Sequence, residues 1–597
     1  MSLRTITEAL GVTESALSFL SVHTDEQLGT LAAAITGALH TSEAPDALSL
    51  AAMLTGSDPS TWASAIALLH AAADPELWEQ ITGECGLTER GAFVSERYQV
   101  TYGLFQAWCE NPFSPPQAVY FDLSTTNQEL LDHLPPADRL AALAPLASAA
   151  SLRLSIWCRD ITDIAALTAL TNLTSLNLYG SETITDLSPL ARLPQLECLD
   201  LGSLTGIQAF DFLRALTNLK LLKLHKAAHL TSLDCLSAHP ALQVLSLSYC
   251  AALEDLDGLD ACVGLQTLSL SECKALSGLS GLIHCADLRA VNIKNCQKIT
   301  SLSSLTGCAE LEKLHTNGLN LTSLDGLQNK PRLTTARLSY SCARLTSIDG
   351  LAGCTGLETL YINGLSRASV SDLSALSGAT ALTALTISSA QSLQDISGLA
   401  GCTALTELDL AESGISDVDA LTRCTALTRL NLERASQLKS ITGLVSCTAL
   451  TSLRLRGCRM LAQVDGLEAL SSLERLDLRN WGGRDSALYG LAIPPDDSHL
   501  QDRSAVKTYQ DKIALVLAIQ HGDQAVVLRH RELTTLNLAG CRMLTNPRLL
   551  QLLTNLTVLD LRRCDGLHYK IWRKNFDTPE KIAGFYRRLS KRLPLED

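Results

Sequence analysis

The chain has 597 residues, of which 46% are hydrophobic and only 4% aromatic, and its formal net charge at pH 7 is −14. Its longest uncharged apolar runs, such as residues 62–73, are too short to span a bilayer. The N-terminal sequence MSLRTITEALGVTE contains no apolar segment of the kind that a signal peptide requires. These features argue against a membrane-spanning or secreted protein, and we expect a soluble, cytoplasmic one.

Residues 1–148 differ in composition from the rest of the chain. They contain 4 Arg, no Lys and 18 Asp and Glu, a net charge of 4 − 18 = −14. Cap residues before prolines, as at Asp74-Pro75, mark helix starts. We predict an all-α domain with five to seven short helices up to about residue 110, an ordered connector at 111–124 and helices near 126–147. Two interpretations are open, a cap on the edge of the following sheet or a separate acidic docking module.

A repeated pattern organises the chain from Ala149 onward. Residues 398–435 contain the spacing L-x-x-L-x-L twice, which is the strand signature of a stacking repeat. The first leucines of the copies, mostly 23 residues apart, are Leu173, Leu196, Leu219, Leu242, Leu265, Leu288, Leu311, Leu333, Leu357, Leu382, Leu405, Leu427, Leu450 and Leu473. A degenerate copy precedes them at Ala149, and two further copies begin at Leu533 and Leu556.

Each copy has two halves with different periodicity. In the copy that begins at Leu405, Leu408 and Leu410 alternate with polar residues, which predicts a strand with one buried face. The second half, residues 415–421, is apolar at every third position, which suits a tight 3₁₀-like return. One unit of this size buries too little apolar surface to offset its ordering entropy, so units must stack. We predict an α/β solenoid at 149–481 with a parallel sheet on its concave side.

The unit resembles the short, 22–23-residue leucine-rich repeat of internalins and of the phosphatase-regulator class. The resemblance is carried by the returns ITDLSPL (184–190), LTSLDGL (321–327) and ISDVDAL (415–421). It covers roughly 149–480 and 533–566, although this chain often has Cys, Ser or Ala where those families usually have Asn after the strand. The resemblance implies a protein-binding concave face, and it transfers no individual binding residue.

The cysteines follow the repeat. Of the 19 cysteines, 13 occupy two repeat positions, eight residues after or three residues before a first leucine. The first position holds Cys250, Cys273, Cys296, Cys458, Cys541 and Cys564, and the second holds Cys262, Cys285, Cys308, Cys354, Cys402, Cys424 and Cys447. A straight ladder at about 4.8 Å spacing cannot wrap four sulfurs around one zinc ion. We therefore expect buried, reduced thiols that act as small packing residues.

Arginine dominates the outward positions from Leu427 onward, which are the third, fifth and seventh of each unit. The residues that we predict to bind a partner are Arg429, Arg434, Arg454, Arg456, Arg475, Arg479 and Arg562. Acids such as Glu433, Asp477 and Asp560 are interleaved with them. One interpretation is a mutually neutralised surface lattice of little energetic value. The other is an electropositive surface that binds an acidic or phosphorylated partner, which the use of Arg rather than Lys favours.

The repeat register breaks once before the end of the chain. The insertion at 482–532 contains a predicted helix at 503–522, which either packs on the flank of the solenoid or forms a contact element. Two last repeats follow at 533–566. The segment 567–597 contains a predicted helix and is expected to cap the solenoid. Its residues 567–592 hold 8 Lys and Arg against 2 Asp and Glu, a net charge of +6.

No P-loop, dinucleotide-binding, zinc-protease or serine-hydrolase motif occurs in the sequence. We therefore expect no catalysis, no cofactor and no metal. The leading hypothesis is a recognition scaffold, an adaptor or sensor subunit in a bacterial defence or effector system, that binds a protein partner on its concave face. One alternative is sensing of nucleic acid or a phosphorylated ligand through the Arg-rich C-terminal end. Another is an enzyme with an unrecognised site in the N-terminal helical domain.

Overall fold

The computed structural model divides into two compact units, Met1–Leu288 and Arg289–Asp597, called here the first and the second unit. It describes residues 47–593 with the exception of 56–58, 73, 84, 88–92, 96–101, 113, 115, 124–127, 132–134, 158–159, 181, 204, 366–368, 462–465, 480–498, 539–543, 563, 565–566 and 568–574. The domain boundaries that we predicted follow composition and repeat register, and they stay predictions.

The described part of the first unit begins with short helices, as the sequence predicts, and the helices predicted within residues 1–46 lie outside the described residues. The first described helices are α1 (Ala47–Thr55), α2 (Pro59–Ala72), α3 (Pro75–Thr82) and α4 (Tyr102–Glu110). Asp74 caps α3, because its side chain accepts hydrogen bonds from the backbone N–H groups of Glu76 and Leu77 at 2.9 and 3.4 Å. The structure adds β1 (Cys85–Leu87) and β2 (Phe93–Ser95), an antiparallel pair that an all-α description of this region omits.

The segment predicted as a connector contains a strand of the main sheet. β3 (Ala118–Leu123) buries Val119, Phe121 and Leu123, whereas the alternate residues are exposed or half-buried. It pairs in parallel with β4, the strand of the degenerate repeat, so the sheet starts one strand before the first repeat. Between them lie α5 (Gln128–Leu131), α6 (Pro136–Arg139) and a 3₁₀ helix (Ala141–Ser148), where helices were predicted.

Each unit has its own run of parallel strands. In the first unit the strands after β3 are β4 (Ser151–Ile156), β5 (Leu173–Asn177), β6 (Cys198–Leu201), β7 (Leu221–His225), β8 (Val244–Ser248) and β9 (Thr267–Ser271). In the second unit they are β10 (Ala290–Lys294), β11 (Lys313–Asn317), β12 (Thr335–Ser339), β13 (Thr359–Ile362), β14 (Ala384–Ile387), β15 (Glu407–Asp409), β16 (Arg429–Asn431), β17 (Ser452–Arg454) and β18 (Arg475–Asp477). The predicted parallel solenoid sheet is thereby confirmed within each unit.

From β5 onward the register of these strands repeats the sequence register. In β4, Leu154 rather than Leu152 pairs with Leu176, so the copy predicted to begin at Ala149 is out of register by two residues. Leu408 pairs with Leu430, Leu430 with Leu453, and Leu453 with Leu476. These leucines are almost completely buried, whereas their neighbours on the strand face away from the core. The predicted returns are 3₁₀ helices, such as Asp419–Arg423. Stacking therefore buries a continuous leucine core, and it leaves the third and fifth residues of each repeat on the solvent face of the sheet.

A left-handed bend follows the strands β5 to β17 at the eighth residue of the repeat. In the repeats that begin at Leu173 through Leu450, this residue has φ between 49° and 87°. The set comprises Gly180, Ser203, Lys226, Tyr249, Glu272, Asn295, Gly318, Tyr340, Gly364, Ser389, Glu412, Arg434 and Gly457. Most of these residues are not glycine, although the left-handed region costs other residues about 1–2 kcal/mol. The packing of adjacent repeats therefore imposes the bend.

The described cysteines of the two columns are buried, as predicted, and their thiols also make polar contacts, whereas Cys541 lies outside the described residues. Cys262 Sγ lies 3.6 Å from the carbonyl oxygen of Leu236, and Cys447 Sγ lies 3.5 Å from that of Leu421. Burial raises the pKa of Cys262 to about 11, so it remains a thiol that can donate. In the same column Lys330 Nζ donates to the carbonyl oxygen of Thr306 at 3.1 Å. This repeat position therefore accommodates donors to a carbonyl group of the preceding repeat.

The insertion ends the parallel sheet of the second unit. β19 (His499–Leu500) pairs antiparallel with β18. The predicted helix is α7 (Arg503–His521), which is followed by α8 (Gln524–Arg529). Gln510 Nε2 of α7 donates to the carbonyl oxygens of Leu467 and Leu470 at 2.8 and 2.9 Å. The buried face of α7 thus packs on the 3₁₀ return at Leu467–Ala469, which is the flank-packing alternative.

The remaining elements form a smaller sheet in the second unit. β20 (Thr535–Asn537) and β21 (Val558–Asp560) are the strands of the last two repeats and are parallel, and β22 (Asn575–Phe576) pairs antiparallel with β21. α9 (Pro579–Arg592) begins after the cap residue Thr578 and buries Ile582, Phe585 and Leu589. Tyr586 of α9 donates to the carbonyl oxygen of Leu553 at 3.0 Å, so the helix packs on the return of the preceding repeat.

Candidate functional site

Strand register places the predicted arginines in two rows on the solvent face of the second unit's sheet. The third residues of four successive repeats, Glu407, Arg429, Ser452 and Arg475, lie side by side. The fifth residues, Asp409, Asn431, Arg454 and Asp477, form the second row. Side chains at these positions point away from the core because the alternate residues are the buried leucines. The sheet therefore brings Arg429, Arg454 and Arg475 together.

Three of the seven predicted arginines pair with an acid of the preceding repeat. Arg429 forms an ion pair with Glu407 across β15 and β16. Arg434 Nη1 lies 2.9 Å from Glu412 Oε1, and Arg456 Nη1 lies 3.5 Å from Glu433 Oε1. These pairs are the mutually neutralised lattice that the sequence left open as one interpretation. Ion pairs at such exposed positions contribute little to stability.

Arg479 and Arg562 share a different local arrangement. Each folds back on the aspartate two residues earlier, which is nearly buried. The carboxylate of Asp560 accepts hydrogen bonds from the backbone N–H, Nε and Nη2 of Arg562 at 3.0, 3.0 and 2.6 Å. Burial raises the pKa of Asp560, but the hydrogen bonds from Arg562 outweigh it and hold that pKa below its ordinary value. Arg562 lies beside β21, in the smaller sheet, and not in the rows that hold Arg454 and Arg475.

Arg454 and Arg475 remain exposed on adjacent strands, and neither forms an ion pair with any residue that the structure describes. With Arg429 they line a cavity of about 270 Å³ on the solvent face of the sheet. Its other polar lining residues are Thr386, Glu407, Asp409, Asn431 and Ser452. Three guanidinium groups thus face two carboxylates. The arrangement can accept an anionic group, since guanidinium pairs carboxylate or phosphate oxygens in two-point contacts.

Sequence reasoning missed which arginines already have partners. Glu407 and Asp409 stood out as outward acids, but the pairing of Glu412 with Arg434 did not. Both occupy the eighth position of their repeats, so comparison of that position between successive repeats could have found the pair. The exposed aromatic residues Trp157, Tyr179 and Tyr249 were also missed, although exposed aromatics stand out in a chain with 4% aromatic residues.

The described part of the chain shows neither a cluster of metal-ligating side chains nor a helix that could span a membrane. No group of three or more His, Cys, Asp or Glu side chains is placed to hold a metal ion there. Among the same residues, no helix has the length and apolar composition needed to cross a bilayer.

Comparisons with known proteins bear on the repeat. The family model of the leucine-rich repeat domain of the endo-β-N-acetylglucosaminidase EndoS matches residues 243–341. Those residues hold successive copies of the L-x-x-L-x-L strand, the left-handed bend and the return. The chain contains a leucine-rich repeat domain. A comparison with curated proteins finds no match.

Solved structures of similar leucine-rich repeat proteins come from bacteria. The internalin InlF of Listeria monocytogenes is 25% identical over 57% of this chain and 83% of its own, with a TM-score of 0.37. A leucine-rich repeat protein of Leptospira interrogans is 16% identical over 62% of this chain and 90% of its own, with a TM-score of 0.46. The functional domain of InlJ from Listeria monocytogenes, which includes a cysteine ladder, is 22% identical over 58% and 64%, with a TM-score of 0.38.

Proposed function

We propose that this leucine-rich repeat protein is a non-catalytic recognition protein that binds an acidic or phosphorylated surface of a protein partner at Arg454 and Arg475. The observation that carries the proposal is that these two exposed arginines lie on adjacent strands of the sheet without an ion pair among the described residues. Leucine-rich repeat folds generally present such a sheet face to protein partners. In this setting the protein serves as an adaptor or sensor subunit.

The charge of the cavity supports an acidic partner. Three arginines and two carboxylates line it. Arg429 already forms an ion pair with Glu407, which is one of the two carboxylates. A partner carboxylate or phosphate would give Arg454 and Arg475 the counter-ions that the sheet does not supply. Hydrogen bonds between charged groups contribute about 1.5–3 kcal/mol each. Loss of both contacts would therefore weaken binding by roughly a hundredfold or more.

The proposal places the protein in the cytoplasm of a bacterium, in a defence or effector system. The cysteines that the structure describes are free thiols, most of them buried, as expected of a protein made in a reducing compartment. The Ala-rich, Lys-poor composition is typical of a GC-rich bacterial source.

The test is affinity capture from native lysate with three forms of the full chain. Arg454→Glu/Arg475→Glu reverses the charge of the two proposed contact residues. Arg344→Glu/Arg423→Glu is the matched control. Both residues are exposed and lie outside the strands, and the two substitutions change the net charge by the same amount. We expect one protein to be captured by the wild type and the control and lost with the double reversal, with at least a hundredfold rise in Kd for the purified partner. Equal capture by all three forms would show that these arginines are not the interface.

Nucleic-acid binding at the C-terminal end is a second candidate. α9 exposes Arg587, Arg588, Lys591 and Arg592 on its solvent side. Binding of arbitrary DNA or RNA through these residues would weaken steeply with salt concentration, because phosphate contacts release counterions. A salt titration with a labelled oligonucleotide separates the candidates, since Arg454→Glu/Arg475→Glu leaves this end unchanged. Absence of binding at low salt would remove this candidate.

A further inference from the structure

A row of exposed rings follows the strands of the first unit. Trp157, Tyr179 and Tyr249 are 56%, 46% and 50% exposed. The ring centroids of Tyr179 and His225 are 5.9 Å apart, and those of His225 and Tyr249 are 5.1 Å apart. Exposed aromatic residues that adjoin one another often mark a recognition surface, whereas single exposed apolar residues are normal on any protein.

Two glycines set the position of the rings. A methyl group at Gly180 would overlap the pyrrole edge of Trp157, and one at Gly202 would overlap the ring of Tyr179. Each ring therefore lies directly against the backbone of the next repeat. Contact with rigid backbone on one side holds the ring in place while its other side faces solvent.

The first two rings border a cavity of about 160 Å³. Its other lining residues are Asp122, Ser155, Asn177 and Asp200, which the register of β3 to β6 places side by side. Among the residues that the structure describes, the lining contains two carboxylates and no Lys, Arg or His. Lys223 lies just outside it, with Nζ 3.2 Å from Asp200 Oδ2. Even when Lys223 is included, the formal charge of this group is −1.

We propose that this cavity binds the guanidinium or ammonium group of an Arg or Lys side chain in a basic segment of a protein partner. Aromatic faces attract cations, and carboxylates accept the hydrogen bonds that these cations donate. The two kinds of group adjoin here, with Trp157 and Tyr179 next to Asp122 and Asp200. The site lies in the first unit and does not involve Arg454 or Arg475 of the second unit.

The length of the ring row identifies the occupant as a peptide rather than a free small cation. Trp157 follows β4 and Tyr249 follows β8, so the row spans four strand spacings, about 19 Å. An extended peptide covers that distance with about six residues, whereas a free small cation would use the cavity alone. Burial and the neighbouring Lys226 lower the pKa of His225, so the imidazole in the row is neutral at pH 7 and does not repel a basic peptide.

The test uses the full chain and a fluorescein-labelled nona-arginine peptide, with binding followed by fluorescence anisotropy at physiological salt. Asp122→Asn/Asp200→Asn removes the two carboxylates, and Glu254→Gln/Asp260→Asn removes two exposed acids of the same unit outside the cavity. Trp157→Ala removes one ring, and Tyr340→Ala removes an exposed ring of the second unit. We expect Kd to rise about tenfold in each site variant, which corresponds to about 1.4 kcal/mol, and less than twofold in each control.

Three results would overturn the proposal. They are no binding by the wild type, equal loss in site and control variants, and displacement of the peptide by micromolar tetramethylammonium, which would identify a free small cation as the occupant. Trp157 is exposed, so Trp157→Ala remains a valid test if the aspartate double variant does not fold. Arg454→Glu/Arg475→Glu is expected to bind the peptide as the wild type does, so failure of one proposal leaves the other testable.

Discussion

The solvent faces of the two units carry cavities of opposite character. In the first unit, Trp157 and Tyr179 adjoin two aspartates, and the described lining of the cavity has no basic residue. In the second unit, three arginines face two carboxylates, and no aromatic residue is among the described residues that line the cavity. The strands beneath both cavities have the same parallel register and the same buried leucines. The difference arises entirely from the residues at outward positions.

This comparison separates two layers of information in each repeat. Inward residues specify the stack, and they vary little because each must fill the same space against its neighbours. Outward residues contact solvent and the adjacent repeat, so their chemistry can change without loss of the fold. One scaffold can therefore carry two binding surfaces with opposite charge preference.

The largest expected effect tests this separation directly. Leu430 is 2% exposed, whereas Arg429, the preceding residue, has a side chain that is 62% exposed. We expect Leu430→Ala to lower the free energy of unfolding by about 2–5 kcal/mol, because it leaves a cavity in the core. Arg429→Ala breaks one surface ion pair and should cost less than about 1 kcal/mol. Urea denaturation of both variants measures the difference. Similar losses would contradict the division into inward and outward layers.

A smaller effect is expected in the first unit, where Gly202 sets the position of the Tyr179 ring. Gly202→Ala would drive the ring of Tyr179 away from its place beside the cavity. The ring is exposed and can swing outward, so we expect a small change in stability together with about a tenfold weaker binding of the nona-arginine peptide. Gly278→Ala is the control, since a methyl group there meets no atom within 4 Å. Unchanged peptide binding by Gly202→Ala would argue against a role for ring placement.

The smallest expected effect concerns Arg562, which pairs with an aspartate of its own repeat. The lowered pKa of Asp560 means that its pairing with Arg562 stabilises the fold above the ordinary pKa of the carboxyl group, about 3.9. This stabilisation is lost as the pH falls through the lower folded pKa. We expect the free energy of unfolding to fall less steeply below about pH 4 in Asp560→Asn than in the wild type. Glu532→Gln, which changes an exposed carboxylate of the same unit, should follow the wild type. Identical profiles for all three proteins would refute the assignment.

The sequence predicts the stack far better than it predicts the surface. Leucines at fixed spacing define each strand and each return, because their burial is the main driving force for stacking. β3 was missed because it is a single alternating strand without the repeat spacing, and β19 because two residues carry no periodicity. The pairing of Arg434 with Glu412 depends on side-chain placement across repeats, which spacing within one repeat does not encode.

The left-handed bend has a consequence for how such a chain can change in length. The bend stands at a constant distance from the first leucine of its repeat, although successive first leucines are 22 to 25 residues apart. Leu357 and Leu382 begin copies 25 residues apart, yet Gly364 and Ser389 each stand seven residues after the first leucine. All additions and deletions are therefore absorbed in the return. The first eight residues of each repeat therefore have a fixed length. Outward side chains of successive repeats stay in register, however many residues the return gains or loses.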